Sequence, residues 1–271
     1  RITDMSGNTT SCSFTITVSD NQRPNWLPSA IPGIGSQASV GSQAYTNSPN
    51  PLPKLRRIVL NCNHPNYAAD FAYLTGTWLP SSVDNCDPNP VVSRTFVNTL
   101  NLPCVTNLGI TNIYRADTYS YTSTDASGNV SFLYLLTILT SDNKGPDYST
   151  GTVPSGPAVQ GLPNNYSGPN LTLNVSDYYN EALASTPCGI DFTNAAPVNA
   201  PTPSLVATAT DCQAITYTSW SVSAIGSTPP AAVPAGVGNN PAQFLSVGSY
   251  LIQYNSTDPC GNISVYSFTL T

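Results

Sequence analysis

Apolar and polar residues alternate with a period of two along many short stretches of this chain. Near the start, Cys12, Phe14, Ile16 and Val18 fall on one face, and Ser and Thr occupy the other. Alternation of this kind is typical of strands with one buried face. The stretch 132–139 is instead apolar on both faces, so we expect it to be covered on both sides.

Further strands are predicted at 56–61, 71–79, 91–97, 118–124, 170–175, 204–210, 214–222 and 249–257. Pro, Gly and Asn separate these stretches, and the one helix candidate is a short turn near Asp177–Ala184. Many short strands with turn residues between them predict an all-β chain built from β-sandwiches.

One turn pattern, D-x-x-G-N, occurs three times. Asp can accept hydrogen bonds from the turn backbone, and Gly and Asn tolerate positive φ, so each copy predicts the turn of a hairpin. The residues of the three turns are Asp4, Gly7 and Asn8, then Asp125, Gly128 and Asn129, and finally Asp258, Gly261 and Asn262.

Successive copies lie 121 and 133 residues apart, which predicts tandem repeats. A linker motif, S-D-N-x-x-P, recurs at 19–24 and 141–146 and sets the predicted boundaries. Residues 1–20 are interpreted as the C-terminal hairpin remnant of an upstream repeat, 21–142 as repeat A and 143–271 as repeat B. The middle copy has one additional residue between Asn129 and Ser141, which predicts a β-bulge.

The main feature of the composition is the small number of charged residues. Only 8% of residues are charged, against about 25% in ordinary globular proteins, and the net charge is −6. A nucleic-acid partner would need a basic stripe, which this chain lacks. No apolar run is long enough to span a membrane, so we expect no membrane insertion.

The repeated segment resembles the end of a hyalin repeat, the HYR domain. Besides the turn residues, the resemblance is carried by Thr3, Cys12, Phe14, Ile16, Val18, Asp20, Asn21 and Pro24, by Tyr121, Thr124, Asp142, Asn143 and Pro146, and by Phe268. It covers only the end of each unit, and both units are longer than a typical module. The resemblance implies tandem immunoglobulin-like sandwiches of large secreted bacterial surface adhesins, notably those of Bacteroidetes.

Seven cysteines are present, none in a C-x-x-C pair, which favours disulfides in an exported protein over a zinc site. The resemblance implies a disulfide to the last strand of each module, but Leu133 and Tyr266 stand where the first copy has Cys12. We therefore expect Cys12 to pair with a residue upstream.

Short spacing within each unit then favours the pairs Cys86–Cys104 and Cys188–Cys212. Cys62 and Cys260 remain, and together with Cys12 they are candidates for bridges between units or between chains. The alternative, in which Cys260 pairs with Cys188 or Cys212 and one thiol stays free, fits the sequence equally well.

Calcium is the one cofactor that the sequence suggests. Its candidate ligands are acidic and amide residues at the junctions and in one loop: Asp20, Asn21, Asp142, Asn143, Asp84 and Asp87. Ca²⁺ takes six or more oxygens, whereas each place offers one or two carboxylates. Turn capping is therefore the favoured interpretation. We expect no cofactor and keep calcium as the alternative.

Catalytic motifs are absent from the sequence, which has one His, one Glu and neither a paired-carboxylate nor a phosphate-loop pattern, so we do not expect an enzyme. Trp26, Trp78 and Trp220 either line a sugar-binding face or pack in the cores, and packing is favoured.

The sequence thus predicts a structural region of a large extracellular surface protein, secreted or held at the cell surface. It would form an adhesive or filamentous stalk, whose partners are neighbouring repeats of the same chain and identical chains in a filament. Surface glycans are an alternative partner, through a carbohydrate-binding module. Accessory domains of a secreted enzyme are a second alternative.

Overall fold

The computed structural model describes residues 1–28, 34–36, 54–148, 208–226, 235–238, 241 and 245–271, and the backbone alone of 170–171, 189–191 and 244. Within these residues strands make up most of the regular secondary structure, so the predicted all-β class is confirmed. In this part of the chain no helix has the length and apolar character needed to cross a bilayer. The predicted helical turn at 177–184 lies outside the described residues.

The strands, in chain order, are β1 (Ile2–Thr3), β2 (Thr9–Thr10), β3 (Asn25–Trp26), β4 (Lys54–Asn61), β5 (Ser82–Val83), β6 (Val91–Asn107), β7 (Ile110–Thr124), β8 (Tyr134–Ser141), β9 (Asn170–Leu171), β10 (Gly189–Asp191), β11 (Thr216–Ala224), β12 (Ala235–Gly236), β13 (Phe244–Ser246), β14 (Tyr250–Thr257) and β15 (Ile263–Leu270). Sheet 1 has the order β4-β8-β7-β6, and sheet 2 has the order β12-β11-β14-β15-β9. The pairs β1–β2, β3–β5 and β10–β13 form separate two-stranded sheets.

The two larger sheets share one topology. In sheet 1, β4 runs parallel to β8, β8 antiparallel to β7, and β7 antiparallel to β6. In sheet 2, β9 runs parallel to β15, β15 antiparallel to β14, and β14 antiparallel to β11. The hairpins β7–β8 and β14–β15 carry the second and third D-x-x-G-N turns. The repeated sequence therefore occupies equivalent places in two sheets of the same strand order and direction.

Strand β8 is covered on both faces, as its two-sided apolar pattern predicts. Leu136 and Ile138 belong to the main core of sheet 1, together with two tryptophans, Trp26 and Trp78. Leu139 lies on the opposite face, in a smaller cluster closed by residues of the long β6–β7 hairpin. Because β8 lies between β4 and β7, each of its apolar side chains finds partners on both neighbouring strands, and a fully buried Leu or Ile contributes about 1.5–3 kcal/mol.

The additional residue of the middle copy forms a β-bulge, as predicted. Thr124 pairs with Val130 and Tyr121 pairs with Tyr134, so two residues of β7 face three residues of the returning chain. In the third copy, β14 and β15 pair from Thr257 to Tyr250 without any shift. At the bulge the carbonyl of Phe132 accepts a hydrogen bond of 2.6 Å from the Trp26 indole. The bulge therefore ties β3 to sheet 1.

Sheet 2 buries one face only. Tyr254, Phe268 and Leu270 are buried in its core, and Tyr148, which follows the second linker motif, is buried with them. Tyr148 also stacks on Tyr266, with ring centroids 5.2 Å apart. The alternate residues of β15 point away and are partly or largely exposed. This is the alternation expected of a strand with one solvated face.

The predicted strand at 71–79 is wrong, because this segment is helical. Helix α1 (Tyr67–Ala72) continues into a π-helical turn (Tyr73–Thr77). Tyr67, Phe71, Leu74 and Trp78 follow one another at spacings of three and four, which is the helical period, and Leu74 and Trp78 are buried in the core of sheet 1. That spacing begins before the predicted segment and outweighs the alternation within it.

The predicted strand at 12–18 belongs to no sheet among the described residues. Strands β1 and β2 form a hairpin around the first turn, and the chain beyond Thr10 has no strand partner there. Phe14, Ile16 and Val18 are 79, 73 and 92% exposed, although the corresponding row of β8 is buried. A strand of this length needs neighbouring strands to bury its apolar row, and a two-stranded hairpin is not enough.

Candidate functional site at the junction between the two sheets

Each D-x-x-G-N turn is closed by the same hydrogen bonds. In the third copy, the Asp258 carboxylate accepts from the main-chain N–H of Asn262 at 2.9 Å and from its Nδ2 at 2.6 Å. Equivalent bonds close the turns at Asp4 and Asp125. They lower the pKa of Asp4, and the side-chain bond from Asn8 is the largest cause.

Only the glycine of each turn has positive φ, between +81° and +88°. The asparagine contributes through its side chain instead of through its backbone conformation.

The turn asparagine also reaches beyond its own hairpin. Nδ2 of Asn262 donates to the main-chain carbonyl of Asp142, just after β8, at 3.1 Å. Nδ2 of Asn129 donates in the same way to the carbonyl of Asp20, also at 3.1 Å. Asp20 and Asp142 hold the same position in the linker motif. The same contact, between a turn and the linker that precedes its unit in sequence, therefore occurs twice in the chain.

Two disulfides join the surroundings of sheet 1 to those of sheet 2. Cys62, directly after β4, is bonded to Cys212, with Cα atoms 6.1 Å apart across 150 residues of sequence. Cys104 of β6 is bonded to Cys260, in the turn between β14 and β15, with Cα atoms 5.2 Å apart across 156 residues. Disulfides of this kind are typical of oxidising compartments such as the cell exterior.

The predicted pairs Cys86–Cys104 and Cys188–Cys212 are therefore wrong, because Cys104 and Cys212 bond elsewhere. The alternative pairing of Cys260 with Cys188 or Cys212 is wrong for the same reason. Spacing along the chain gave the wrong partners because contacts between loops and turns at the junction decide which thiols meet. Cys62 and Cys260, the bridge candidates, each link a residue of 21–142 with a residue of 143–271.

Two of the remaining cysteines are free in the structure. Cys12 and Cys86 are both exposed and carry no disulfide. Cys188 lies outside the described residues. The expected upstream partner of Cys12 stays a prediction.

A polar network surrounds Asp142 at the same junction. Its fully buried carboxylate accepts from Nδ2 of Asn63 at 2.7 Å and from Nε2 of Gln213 at 2.8 Å. Its main-chain N–H donates to the carbonyl of Asn112, whose Nδ2 donates to Oδ1 of Asn262 at 3.0 Å. A buried charge is tolerated when hydrogen bonds of this kind satisfy it.

Sequence reasoning missed Asn63, Asn112 and Gln213. Each is a single amide residue in a loop or hairpin, and no pattern marks it in the sequence. Asn112 has a φ of +58°, a conformation that asparagine tolerates better than most residues. Asn112 lies near the end of the β6–β7 hairpin that faces the junction, and its backbone conformation is seen only in the structure.

The linker itself lies close against the last hairpin. A Cβ placed on Gly145 would lie 2.7 Å from the carbonyl oxygen of Ile263, which is closer than real Cβ contacts come. Pro146 is buried next to it. The second linker is therefore packed against sheet 2 instead of spanning a gap between two bodies.

Three carboxylates meet at this junction: those of Asp142, Asp211 and Asp258 offer oxygens within 4.8 Å of one another. Burial, the largest cause, together with the charges of Asp142 and Asp258, raises the pKa of Asp211 to about 6. Asp142 and Asp258 already accept hydrogen bonds from neighbouring amides. Sequence reasoning had not grouped Asp211 and Asp258 with the candidate calcium ligands.

The other candidate calcium ligands are placed as acceptors for turns. Asp84 accepts from the main-chain N–H groups of Cys86 and Asp87, and Asp87 accepts from those of Asn89 and Ala126. Asp20 and Asp84 lie together with Cys86.

The two candidate asparagines, Asn21 and Asn143, are exposed, and Asn143 accepts from the amide of Asn61. These contacts agree with the capping interpretation, while calcium itself stays an alternative.

The single histidine and the tryptophans are engaged in structural contacts. Nδ1 of His64 accepts from the main-chain N–H of Asn66, and the nearby sulfur of Cys62 is in a disulfide. Trp26 and Trp78 are buried in the core of sheet 1. Trp220 is half-buried, and Gly236 lies directly against its indole ring. The three tryptophans do not form an exposed aromatic platform.

No protein-family model matches the chain, and no curated protein matches it either. The repeated topology and the chemistry of the junction are therefore the features that bear on function.

Proposed function

We propose that this chain is a structural stretch of tandem, immunoglobulin-like β-sandwich repeats from a large extracellular surface protein. In this proposal residues 1–20 end one repeat, 21–142 form repeat A and 143–271 form repeat B, each resembling a hyalin repeat at its end. Its role is to build an adhesive or filamentous stalk in which successive repeats are fastened to one another. The partners of each repeat are its neighbours in the same chain.

The observation that carries the proposal is the pair of disulfides at one junction. Both link a residue of 21–142 to a residue of 143–271, and the two bonds begin from opposite edge strands of sheet 1, β4 and β6. One covalent bond leaves two bodies free to pivot about it. Two separated bonds suppress that motion, which is what a stalk requires and what a flexible linker does not supply.

The polar contacts support the same role. The bond from the turn asparagine to the linker carbonyl occurs at the second linker and again at the first, with the same length. A contact that repeats along the chain sets a repeated spacing and orientation between units. The nearly uncharged surface adds to this, because identical chains meet with little electrostatic repulsion when they pack side by side.

Electron microscopy of the full protein, released from the cell surface, tests the proposal. We expect straight rods with a regular repeat along their length, which bend more strongly after reduction of the disulfides by dithiothreitol. Lateral bundling of the rods would favour the filament form over a solitary adhesive stalk. Compact particles without a repeat, or rods whose bending is unchanged by dithiothreitol, would contradict the proposal.

A further inference from the structure

Cys86 stands at the first linker as Cys212 stands at the second. Cys86 lies with the carboxylates of Asp20 and Asp84, its ligand atom within 4.8 Å of theirs. Cys212 lies within the same distance of the carboxylate of Asp142, which is the counterpart of Asp20 in the linker motif. Each cysteine also follows shortly after an aspartate of the same loop. The two sulfurs therefore both lie beside the aspartate of a linker motif.

The two cysteines differ in one respect. Cys212 is bonded to Cys62, whereas Cys86 is free in the structure. Cys62 comes directly after β4, and its main-chain N–H donates to the carbonyl of Ser141 at 3.0 Å. Strand β4 runs parallel to β8 along its whole length, from Lys54 opposite Tyr134 to Asn61 opposite Ser141. The partner of Cys212 is thus the residue that follows β4, the strand paired with β8, and β8 leads into the second linker.

At the first linker no described strand lies alongside the corresponding stretch of chain. Phe14, Ile16 and Val18, which lead into Ser19 and Asp20, are largely exposed and have no strand partner among the described residues. In β8 the corresponding row is buried, partly against β4. This exposed row and the free thiol of Cys86 are independent observations. They mark two ends of one missing element, a strand parallel to residues 12–19 that ends in a cysteine.

We infer that Cys86 forms a disulfide with a cysteine of the preceding repeat of the same chain, in the position that Cys62 holds in repeat A. The partner cysteine follows a strand that pairs with residues 12–19, and its N–H donates to the carbonyl of Ser19. This inference rests on the proposed function as a tandem-repeat stalk. It adds that the covalent link between Cys62 and Cys212 is a recurring device of the array.

A second copy of this chain, placed head to tail, does not supply the partner. Leu171 pairs with Leu270, as Ile58 pairs with Ile138 in sheet 1. When the two sequences are aligned from this pair, L-N-V at 173–175 corresponds to L-N-C at 60–62, so the sequence has Val175 where repeat A has Cys62. In sequence, repeat B therefore has no cysteine that corresponds to Cys62. The partner has to come from a repeat that carries a cysteine there, as repeat A does.

The bond forms by oxidation of two thiols. The two cysteines lose two protons and two electrons as the sulfur–sulfur bond is made. The electrons reduce the disulfide of a thiol–disulfide oxidoreductase of the export pathway to a dithiol. Partial desolvation of the sulfur, then the carboxylates of Asp20, Asp84 and Asp125, raise the pKa of the Cys86 thiol in the absence of its partner. A free Cys86 would therefore react slowly with alkylating reagents in the folded state, and it must be labelled after denaturation.

The test is peptide mapping of the full protein, denatured and alkylated with N-ethylmaleimide without reduction. We expect Cys86 to escape the label and to appear in a peptide linked to a cysteine that lies upstream of residue 1 in the same polypeptide. In the full chain, Cys86→Ser should expose one new thiol on that upstream cysteine. The matched variant Cys12→Ser, at the other exposed free cysteine, should leave the same upstream cysteine unlabelled.

Labelled Cys86, a link from Cys86 to Cys12 or Cys188, or a link to a second polypeptide would overturn the inference. The same digest separates this failure from failure of the proposed function. If the Cys62–Cys212 and Cys104–Cys260 peptides are found while Cys86 is labelled, only the inference is lost. If those two linked peptides are themselves absent, the proposed stalk loses the observation that carries it.

Discussion

The two disulfides limit how far the unfolded chain can be stretched, and the limit follows from their positions. In the oxidised chain the shortest covalent path from residue 1 to residue 271 runs through Cys104–Cys260, with 104 residues before the bond and 12 after it. A path of 116 residues spans about 400 Å when fully extended. The reduced chain has all 271 residues in the path and spans about 950 Å.

The same geometry predicts that either bond alone is nearly sufficient. When Cys104 and Cys260 are both changed to Ser, the path runs through Cys62–Cys212, with 62 residues before the bond and 60 after it. This path is only about 20 Å longer at full extension. When Cys62 and Cys212 are changed instead, the length stays at about 400 Å. Only the variant that lacks all four cysteines should reach the full length.

Single-molecule force spectroscopy, with handles at the two termini of the 271-residue chain, measures these lengths directly. The matched control is Cys12→Ser, which removes an exposed free cysteine and should leave the stretched length unchanged. The reasoning is refuted if either double variant extends to about 950 Å, because the remaining bond would then not exist. It is equally refuted if dithiothreitol does not lengthen the parent chain.

Four further predictions concern stability. Replacing both Cys62 and Cys212 by Ala should lower the free energy of unfolding in urea by about 4–5 kcal/mol in the chain-entropy model, because with Cys104–Cys260 intact the loop that this bond closes has 42 residues on one side and 48 on the other; an unchanged midpoint would contradict this. Asn262→Ala should lower the free energy of unfolding by about 1–2 kcal/mol more than the matched Asn8→Ala. The reason is that the Asn8 side chain, among the described residues, bonds only within its own turn. Equal losses in the two variants would show that the junction contact does not stabilise the fold. Because the pKa of Asp211 is raised to about 6, the folded chain loses stability as pH rises from about 4 to about 6. Asp211→Asn should remove this loss and stabilise the chain at pH 7 by about 1 kcal/mol after allowance for solvent screening. The measurement is Tm as a function of pH for both chains. EDTA should leave Tm unchanged, since amide groups already satisfy most of the clustered carboxylate oxygens; a lower Tm in EDTA, restored by Ca²⁺, would establish the calcium alternative.

Local features were predictable from the sequence because their interactions span few residues. All hydrogen bonds that close a D-x-x-G-N turn lie within five residues, so the pattern of Asp, Gly and Asn determines the turn. The bulge before Tyr134 was predictable for another reason. Comparison of the copies shows one additional residue in the middle one. When a strand contains one residue more than its counterpart in another copy, a β-bulge accommodates it.

The helix after β4 was missed because two periods overlap in one segment. From Phe71 to Leu79 the residues alternate well enough to suggest a strand. The spacing from Tyr67 through Leu74 to Trp78 is helical, and it corresponds to the side that packs on sheet 1. The helical pattern is recognised only when the segment compared with the two periods begins at Tyr67, before the alternating residues.

The predicted disulfide pairs are wrong because cysteines that are close in sequence need not be close in space. Cys104 and Cys260 are 156 residues apart, and the contact between the β6–β7 hairpin and the β14–β15 turn brings them together. One sequence signal did point toward the correct solution. Cys260 stands in the repeated turn where the other two copies have Ser6 and Ser127. A cysteine introduced into a turn of known position marks a contact made by that turn, and not a bond inside its unit.

The same turn explains why the repeated pattern contains asparagine as well as aspartate. The Asp258 carboxylate needs only main-chain N–H groups to close the turn, and glycine supplies the backbone conformation. A side-chain amide is required for the additional bond, the one from Asn262 to the linker carbonyl at Asp142. The same requirement applies to Asn129 and Asp20. Cys260 of the same turn adds a covalent bond to Cys104, so an amide hydrogen bond and a disulfide both hold this turn at the junction.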